Sequence, residues 1–306
     1  MTKLGRILMA AALPFGGGVA AAKPERPVPA IERVLIISID GLRPDRLLLA
    51  DTPVLHRLIR EGSYSFWAQT TAYAITLPSH VSMLTGVNPR KHKIEWNVDL
   101  PLKEPVYPAY PTVFEMARRA GYRTALVAGK SKFEPLARPG TLDAVRMPAQ
   151  DEKDDAHVAA EAARVIRELR PDLLFVHFPA VDLSGHDFGW GSAEQLGRIA
   201  RADAHVGELL AALRAAGLAD ATLVLVTSDH GGQGRTHDAY DPRSRFIPWI
   251  AHGPGVRPGY DLTQQEELQI RTEDTCATVC HVLGLSLLPY FDGKPVLAAF
   301  GPAPAP

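Results

Sequence analysis

VLIISIDG, residues 34–41, is a six-residue apolar run that stops at an aspartate and a glycine. A run of that kind has no polar side to give to solvent. It reads as a strand covered on both faces, with a loop at its carboxyl end. Two further stretches repeat the pattern. Residues 173–178 (LLFVHF) lead to Asp182, and residues 223–227 (LVLVT) lead into Ser228-Asp229-His230-Gly231. Thr124–Ala128 and Phe246–Ala251 add two more strands. Helical periodicity fills the intervals. Thr52-Pro53 opens a helix to about Arg60, with threonine as cap and proline in the first turn. Thr112–Ala120, Asp155–Leu169, Ala193–Ala216 and Glu273–Leu283 follow, several of them stopped by glycine or proline. Strands alternating with helices predict an α/β fold with a mainly parallel central sheet flanked by helices.

The whole chain is compatible with that fold. It has 306 residues, 46% hydrophobic and 22% charged, with 33 Lys+Arg against 34 Asp+Glu. This excludes a disordered chain, and two cysteines exclude a disulfide scaffold. A formal charge of −1 speaks against a nucleic-acid partner, which calls for a basic surplus. Residues 1–22 carry Lys3 and Arg6, then an apolar Ala- and Gly-rich stretch, then Ala20-Ala21-Ala22. That is the build of a signal peptide, so an exported, periplasmic or secreted protein is expected. Residues 23–30 form a Pro-rich spacer, and 31–300 read as one catalytic domain. Residues 88–143 are less periodic and suggest a small cap or rim, while 301–306 are a tail. No further apolar stretch is long enough to span a membrane. Cys276 and Cys280 sit four apart on a helix, where side chains project in parallel, so two buried thiols are expected.

Ligands in open α/β sheets bind beyond the carboxyl ends of the strands. Asp40, Asp182, His186, Asp229, His230 and His237 gather there, from four segments. Mixed carboxylate and imidazole donors suit zinc and disfavour magnesium or calcium. Six side chains are too many for one tetrahedral zinc, and right for two with open positions. Paired metals clamp the entering and departing oxygens of a displacement at phosphorus. In residues 70–86 (TTAYAITLPSHVSMLTG), Thr76 precedes a helix starting near Leu77-Pro78. A hydroxyl there is either a nucleophile in the helix field or simply the cap.

The ordered set Asp40-Gly41, Thr76-Leu-Pro78-Ser-His80, His92 to Asn97, Asp182-x-x-Gly-His186, Ser228-Asp229-His230-Gly231, His237 and Gly253-Pro254-Gly255 resembles the alkaline phosphatase superfamily. It is most similar to the nucleotide pyrophosphatase/phosphodiesterase branch. The resemblance implies an alkaline phosphatase-like fold and two Zn2+, or other divalent transition metals. Asp182, His186 and His237 would hold one ion. Asp40, Asp229 and His230 would hold the other, with Thr76 as further ligand and covalent nucleophile. Asn97 would stabilise a non-bridging phosphoryl oxygen. A phospho-threonine would form and be hydrolysed by a zinc-bound hydroxide, on a small-molecule phosphoester. Two positions depart from the family pattern: Ser79 replaces the usual Asn, and Lys93 the usual Gly. The interval from His230 to His237 is brief and leaves no room for the inserted substrate loop of larger relatives. Lys130 and Lys132 resemble a lysine pair of phosphonoacetate hydrolases, and otherwise read as a solvated loop. Trp96 and Trp190 read as stacking platforms or as packing. Alternatives are a phosphonate or phosphomonoester hydrolase of the same superfamily and a non-catalytic exported binding protein.

Overall fold

The computed structural model describes residues 23–98, 106–148 and 154–301. The signal-peptide reading of residues 1–22 and the tail beyond Gly301 lie outside them.

The strands are β1 (Arg33–Ile39), β2 (Ser63–Gln69), β3 (Thr124–Ala128), β4 (Ala144–Arg146), β5 (Leu173–Phe178), β6 (Thr222–Thr227), β7 (Phe246–His252) and β8 (Tyr260–Asp261). The helices are α1 (Pro44–Leu49), α2 (Pro53–Glu61), α3 (Thr76–Thr85), α4 (Pro89–His92), α5 (Val113–Arg119), α6 (Ala156–Leu169), α7 (Ala180–Phe188), α8 (Ala193–Ala215), α9 (Pro242–Arg245) and α10 (Thr272–Val282). One sheet runs β4-β3-β5-β1-β6-β7-β2-β8. The pairs among β4, β3, β5, β1 and β6 are parallel, whereas β7 is antiparallel to both β6 and β2.

The apolar strands are hydrophobic throughout because both of their faces are covered. Along β1, Val34 and Ile36 enter a core with residues of α3, α5 and α10, including Leu77, Phe114 and Val279. Leu35, Ile37 and Ile39 point the other way, against residues of α2, α6 and α8 such as Leu58, Val165 and Val206. Period-two alternation thus feeds two cores from one strand. Cys276 and Cys280 are buried and unbridged in the first core.

The register levels three strand ends. Ile39 pairs with Phe178, and Ser38 with His177 and Thr227. Whatever follows β1, β5 and β6 therefore emerges side by side. Of the 88–143 stretch read as a cap or rim, β3 lies inside the sheet and α5 packs on it. The 3-10 turn Ser131–Leu136 borders the strand ends, and residues 99–105 lie outside the described set.

Candidate metal centre and active site

Asp40 leaves β1 and is followed by Gly41 in the left-handed region, φ 74°. A Cβ on Gly41 would stand 3.0 Å from the Asp182 Cα. The close turn therefore sets Asp40 against the start of α7. Gly41 N donates to Asp229 Oδ1 at 3.2 Å, tying the β1 and β6 ends together.

Asp182 and His186 belong to α7, which begins two residues after β5. The sequence reading left this segment without a helix. At i and i+4 the two side chains share one face, and His186 Nε2 lies 3.3 Å from Asp182 Oδ1. Gly185 between them makes room for Trp190. A Cβ there would come within 2.7 Å of the indole. Trp190 Nε1 donates to Gly41 O at 2.9 Å. Of the two readings of Trp190, the structure supports packing.

The donor atoms of Asp182, His186 and His237 lie within 4.8 Å of one another, and so do those of Asp40, Asp229 and His230. The first trio stands at the mouth, with His186 exposed; the second is fully buried. All three imidazoles donate from Nδ1 to a backbone carbonyl: His186 to Arg235 O at 2.9 Å, His230 to Gly231 O at 2.8 Å and His237 to Ala74 O at 2.8 Å. A carbonyl only accepts, so in the neutral form each ring presents Nε2 as a lone pair, the tautomer a metal requires. The Asp182 carboxylate beside His186 raises the pKa of that ring, so a cation there would compete with a proton. Ala74 adopts φ 48° to offer that carbonyl. Burial, then His230 alongside, lowers the His237 pKa to about 4, so this ring stays neutral through the physiological range.

The carboxylates fit cations. Asp40 Oδ1, Asp182 Oδ1 and Asp229 Oδ2 are buried without hydrogen-bond partners. Burial raises the Asp229 pKa far above the usual range, and Asp40 and Asp182 add to the rise. Burial acts the same way on Asp40, but Lys130 and His177 outweigh it and hold that carboxyl well below the usual range. Three buried carboxylates thus face one buried ammonium. Divalent cations held by mixed Asp and His donors would offset the remaining charge.

Thr76 is the first residue of α3, and the cap position is Ile75, with no side-chain cap. The Thr76 hydroxyl is therefore not spent on capping. It lies 3.5 Å from His230 Nε2 and is 1% exposed. Asn97 takes part in the helix start instead, its Oδ1 accepting from Leu77 N at 2.9 Å. Ser79, the departure from the family pattern, joins Thr70 and Thr71 in a hydroxyl cluster at 3.0 and 3.1 Å, and Thr70 also donates to Asp229 O. His80 entered the sequence reading only as a motif residue without a role, and His177 was not singled out. His80 Nδ1 donates to Thr76 O at 2.8 Å, and Nε2 meets Ser38 Oγ at 2.8 Å. His177 Nε2 meets Asp40 Oδ2 at 2.9 Å. A histidine inside the apolar run LLFVHF was the available signal.

The lysine pair divides. Lys130 does not lie in a solvated loop: it is 2% exposed and bridges Asp40 and Asp182. Lys132 is part-buried, with Nζ donating to Asn97 O at 3.2 Å. Trp96 is half-buried against the first core, so packing occupies it.

Residues 34–239 match the family model of type I phosphodiesterase / nucleotide pyrophosphatase. A bis(5'-adenosyl)-triphosphatase, enpp4 of Mus musculus, is 25% identical over 71% of this chain and 51% of its own length. An uncharacterised pyrophosphatase/phosphodiesterase of Schizosaccharomyces pombe is 27% identical over 65% of this chain and 44% of its own. The chain spans about half the length of these relatives. Among solved structures, inactive murine ectonucleotide pyrophosphatase/phosphodiesterase 5 in complex with AMP superposes with a TM-score of 0.73 at 18% identity. It covers 88% of this chain and 100% of that one.

Proposed function

The chain belongs to the type I phosphodiesterase / nucleotide pyrophosphatase family of the alkaline phosphatase superfamily, and on that premise we propose that it is an exported, di-zinc phosphodiesterase working through Thr76. One observation carries the reading. Two Asp/His trios stand side by side at the strand ends, and the one uncapped hydroxyl at the α3 start lies beside the deeper trio.

Asp182, His186 and His237 would hold one ion, and Asp40, Asp229 and His230 the other. When bound, the ions supply Lewis-acid stabilisation of the phosphoryl oxygens and favour ionisation of the Thr76 hydroxyl. The chain's own groups do the rest. Thr76 Oγ bonds to phosphorus while the bond to the leaving oxygen breaks. Water then attacks the phospho-threonine, and Thr76 Oγ departs from phosphorus. The α3 amino terminus places its dipole at this position and favours the anion. Asn97 has Oδ1 engaged by Leu77 N, so its amide donor end remains for a non-bridging oxygen. The carbonyls of Ala74, Gly231 and Arg235 hold the imidazoles in register throughout. Export rests on the composition of residues 1–22. Among the described residues no helix is long and apolar enough to cross a membrane.

A phosphonate or phosphomonoester, with one more anionic group, is the second reading. It is favoured by the Lys132 ammonium beside Asn97.

The test is bound metal measured on purified protein, with turnover of bis-p-nitrophenyl phosphate, p-nitrophenyl phosphate and p-nitrophenyl sulfate. Two zinc per chain and preference for the diester are expected. Preference for the monoester would select the second reading. Thr76→Ala should abolish turnover while keeping most of the metal, and Asp229→Ala should lose metal. Unaltered turnover in Thr76→Ala would remove Thr76 as nucleophile.

A further inference from the structure

Lys130 stands where the two trios meet. Its Nζ lies 2.7 Å from Asp40 Oδ2 and 2.6 Å from Asp182 Oδ2. On both carboxylates the other oxygen, Oδ1, has no hydrogen-bond partner. Those two atoms face the imidazoles of the trios: Asp40 Oδ1 is 3.4 Å from His230 Nε2, and Asp182 Oδ1 is 3.3 Å from His186 Nε2. One ammonium therefore anchors one oxygen of each aspartate and leaves one oxygen of each to its trio. His177 Nε2 is a second anchor on Asp40 Oδ2.

The fold delivers Lys130 deliberately close. Gly129 follows β3, and a Cβ there would lie 2.5 Å from the Pro179 Cδ, at the start of α7. The absent side chain lets the β3 loop press against the helix that carries Asp182. At 2% exposure Lys130 is sunk beneath the mouth, toward the ligands and away from solvent.

We propose that Lys130 is a positioning residue that locks Asp40 and Asp182 as one-oxygen ligands, and so sets the preference of the paired site for low-coordinate, zinc-like cations. Zinc is satisfied by four donors. Larger, oxygen-seeking cations take six or more, and often take both oxygens of a carboxylate. An Oδ2 held by an ammonium is not available as that second donor. Removing the ammonium frees Asp182 Oδ2, while His177 still holds Asp40 Oδ2, so two-oxygen binding opens at the Asp182 trio and the coordination number there can rise. The inference rests on reading the two trios as metal sites.

The experiment uses the full-length protein, stripped of metal by chelation, with Lys130→Met and Lys130→Gln. Zn2+ and Mn2+ are titrated separately against a chromophoric chelator, and the d–d absorption of the Co2+-loaded forms is recorded. The wild-type protein should take two ions. In Lys130→Met the ratio of Zn2+ to Mn2+ affinity should fall by about tenfold or more, the range found when a residue supporting a metal ligand is lost. Its Co2+ absorption should weaken as the coordination number rises. Lys130→Gln keeps one amide donor for one carboxylate and should fall between. If Lys130→Met does not fold, the Gln variant decides by the same two readings. Two bound ions with an unchanged affinity ratio and unchanged Co2+ spectrum would overturn the role of Lys130 while leaving the metal reading intact. A wild-type protein that binds no ions would remove the metal reading, and this inference with it.

Discussion

Replacing Asp155 with asparagine should make the protein more stable at neutral pH, and the size of the gain should depend on pH. Asp155 precedes α6 but does not cap it. Its carboxyl turns to α7 instead, where Oδ1 accepts from Ala180 N at 3.0 Å. Oδ2 is buried with no partner. Burial pushes the carboxyl up to about 7, against the pull of the Ala180 N–H and His205. The folded chain therefore holds this proton where the unfolded chain, with a carboxyl near 3.8, has lost it. Ionisation works against folding: stability falls as pH rises from about 4 to about 7 and then levels off. A shift of about 3 units corresponds to about 4 kcal/mol at full ionisation, an upper figure because the buried carboxylate can relax toward water. Asparagine keeps the acceptor for Ala180 N and removes the charge. Urea unfolding followed by circular dichroism at pH 5, 6, 7 and 8, at fixed metal content, isolates the effect as variant minus wild type. That difference should grow by about 2–3 kcal/mol between pH 5 and 7 and change little beyond 8. A flat difference across this range would refute the reasoning. So would a variant destabilised by a constant amount, which would mean that the anion at the α7 amino terminus outweighs its burial.

Chelation of bound metal should lower the melting temperature. An ion present at 100 times its dissociation constant contributes about 2.7 kcal/mol, and an unchanged melt would count against both metal sites. Lys93→Gly should stabilise the fold by up to about 1 kcal/mol, read as a shifted urea midpoint. Lys93 sits exposed at φ 69°, where a side chain costs about 1–2 kcal/mol and the entropy lost by glycine returns part of the gain. Gly185→Ala should cost about 1–3 kcal/mol, because the new methyl meets the Trp190 indole. It should weaken metal binding at the mouth trio more than at the deep one, since Gly185 adjoins His186.

The central strands were legible because burial on both faces leaves an uninterrupted apolar run. Thr124–Ala128 and Leu173–Phe178 were read to the residue. β2 was not, since SYSFWAQ near the sheet edge has exposed positions and polar residues that blur its period. α7 was missed for a related reason. Nine residues holding a glycine and two acidic groups give a weak helical signal, and the helix is held by packing rather than propensity. The convergence of Asp40, Asp182 and Asp229 on one edge was legible from strand order and the carboxyl-end rule, whereas their division between two trios was implied only by the family resemblance. Their supports were not legible: His177 hides in an apolar strand. The burial of Lys130 depends on Gly129 against Pro179, a contact between residues 50 apart in sequence. The Thr76 ambiguity could not be resolved from spacing, since capping depends on where the hydroxyl points.

The short interval between His230 and His237 follows from what it must hold. Gly231 O receives Nδ1 of His230, Arg235 O receives Nδ1 of His186, and Gly234 O receives the Trp190 N–H at 2.7 Å. Gln233 and Thr236 bond to each other across the turn, closing it at 2.8 and 3.1 Å. Five of the six residues thus spend backbone groups on imidazole orientation, on Trp190 or on closing the bracket. Each carbonyl is useful only at hydrogen-bond distance from its partner, so added length would have to bulge outward without moving either end. Gly234 and Arg235 are exposed, so the bracket draws no rigidity from burial. It draws it from the residues at its base: Ser228 Oγ accepts from Leu42 N and donates to His230 O, and Arg43 Nη1 donates to Gly232 O at 2.9 Å. The same few residues therefore orient one imidazole of each trio, His186 at the mouth and His230 in the deeper set. A segment so committed is a frame for the imidazoles rather than a wall for a substrate.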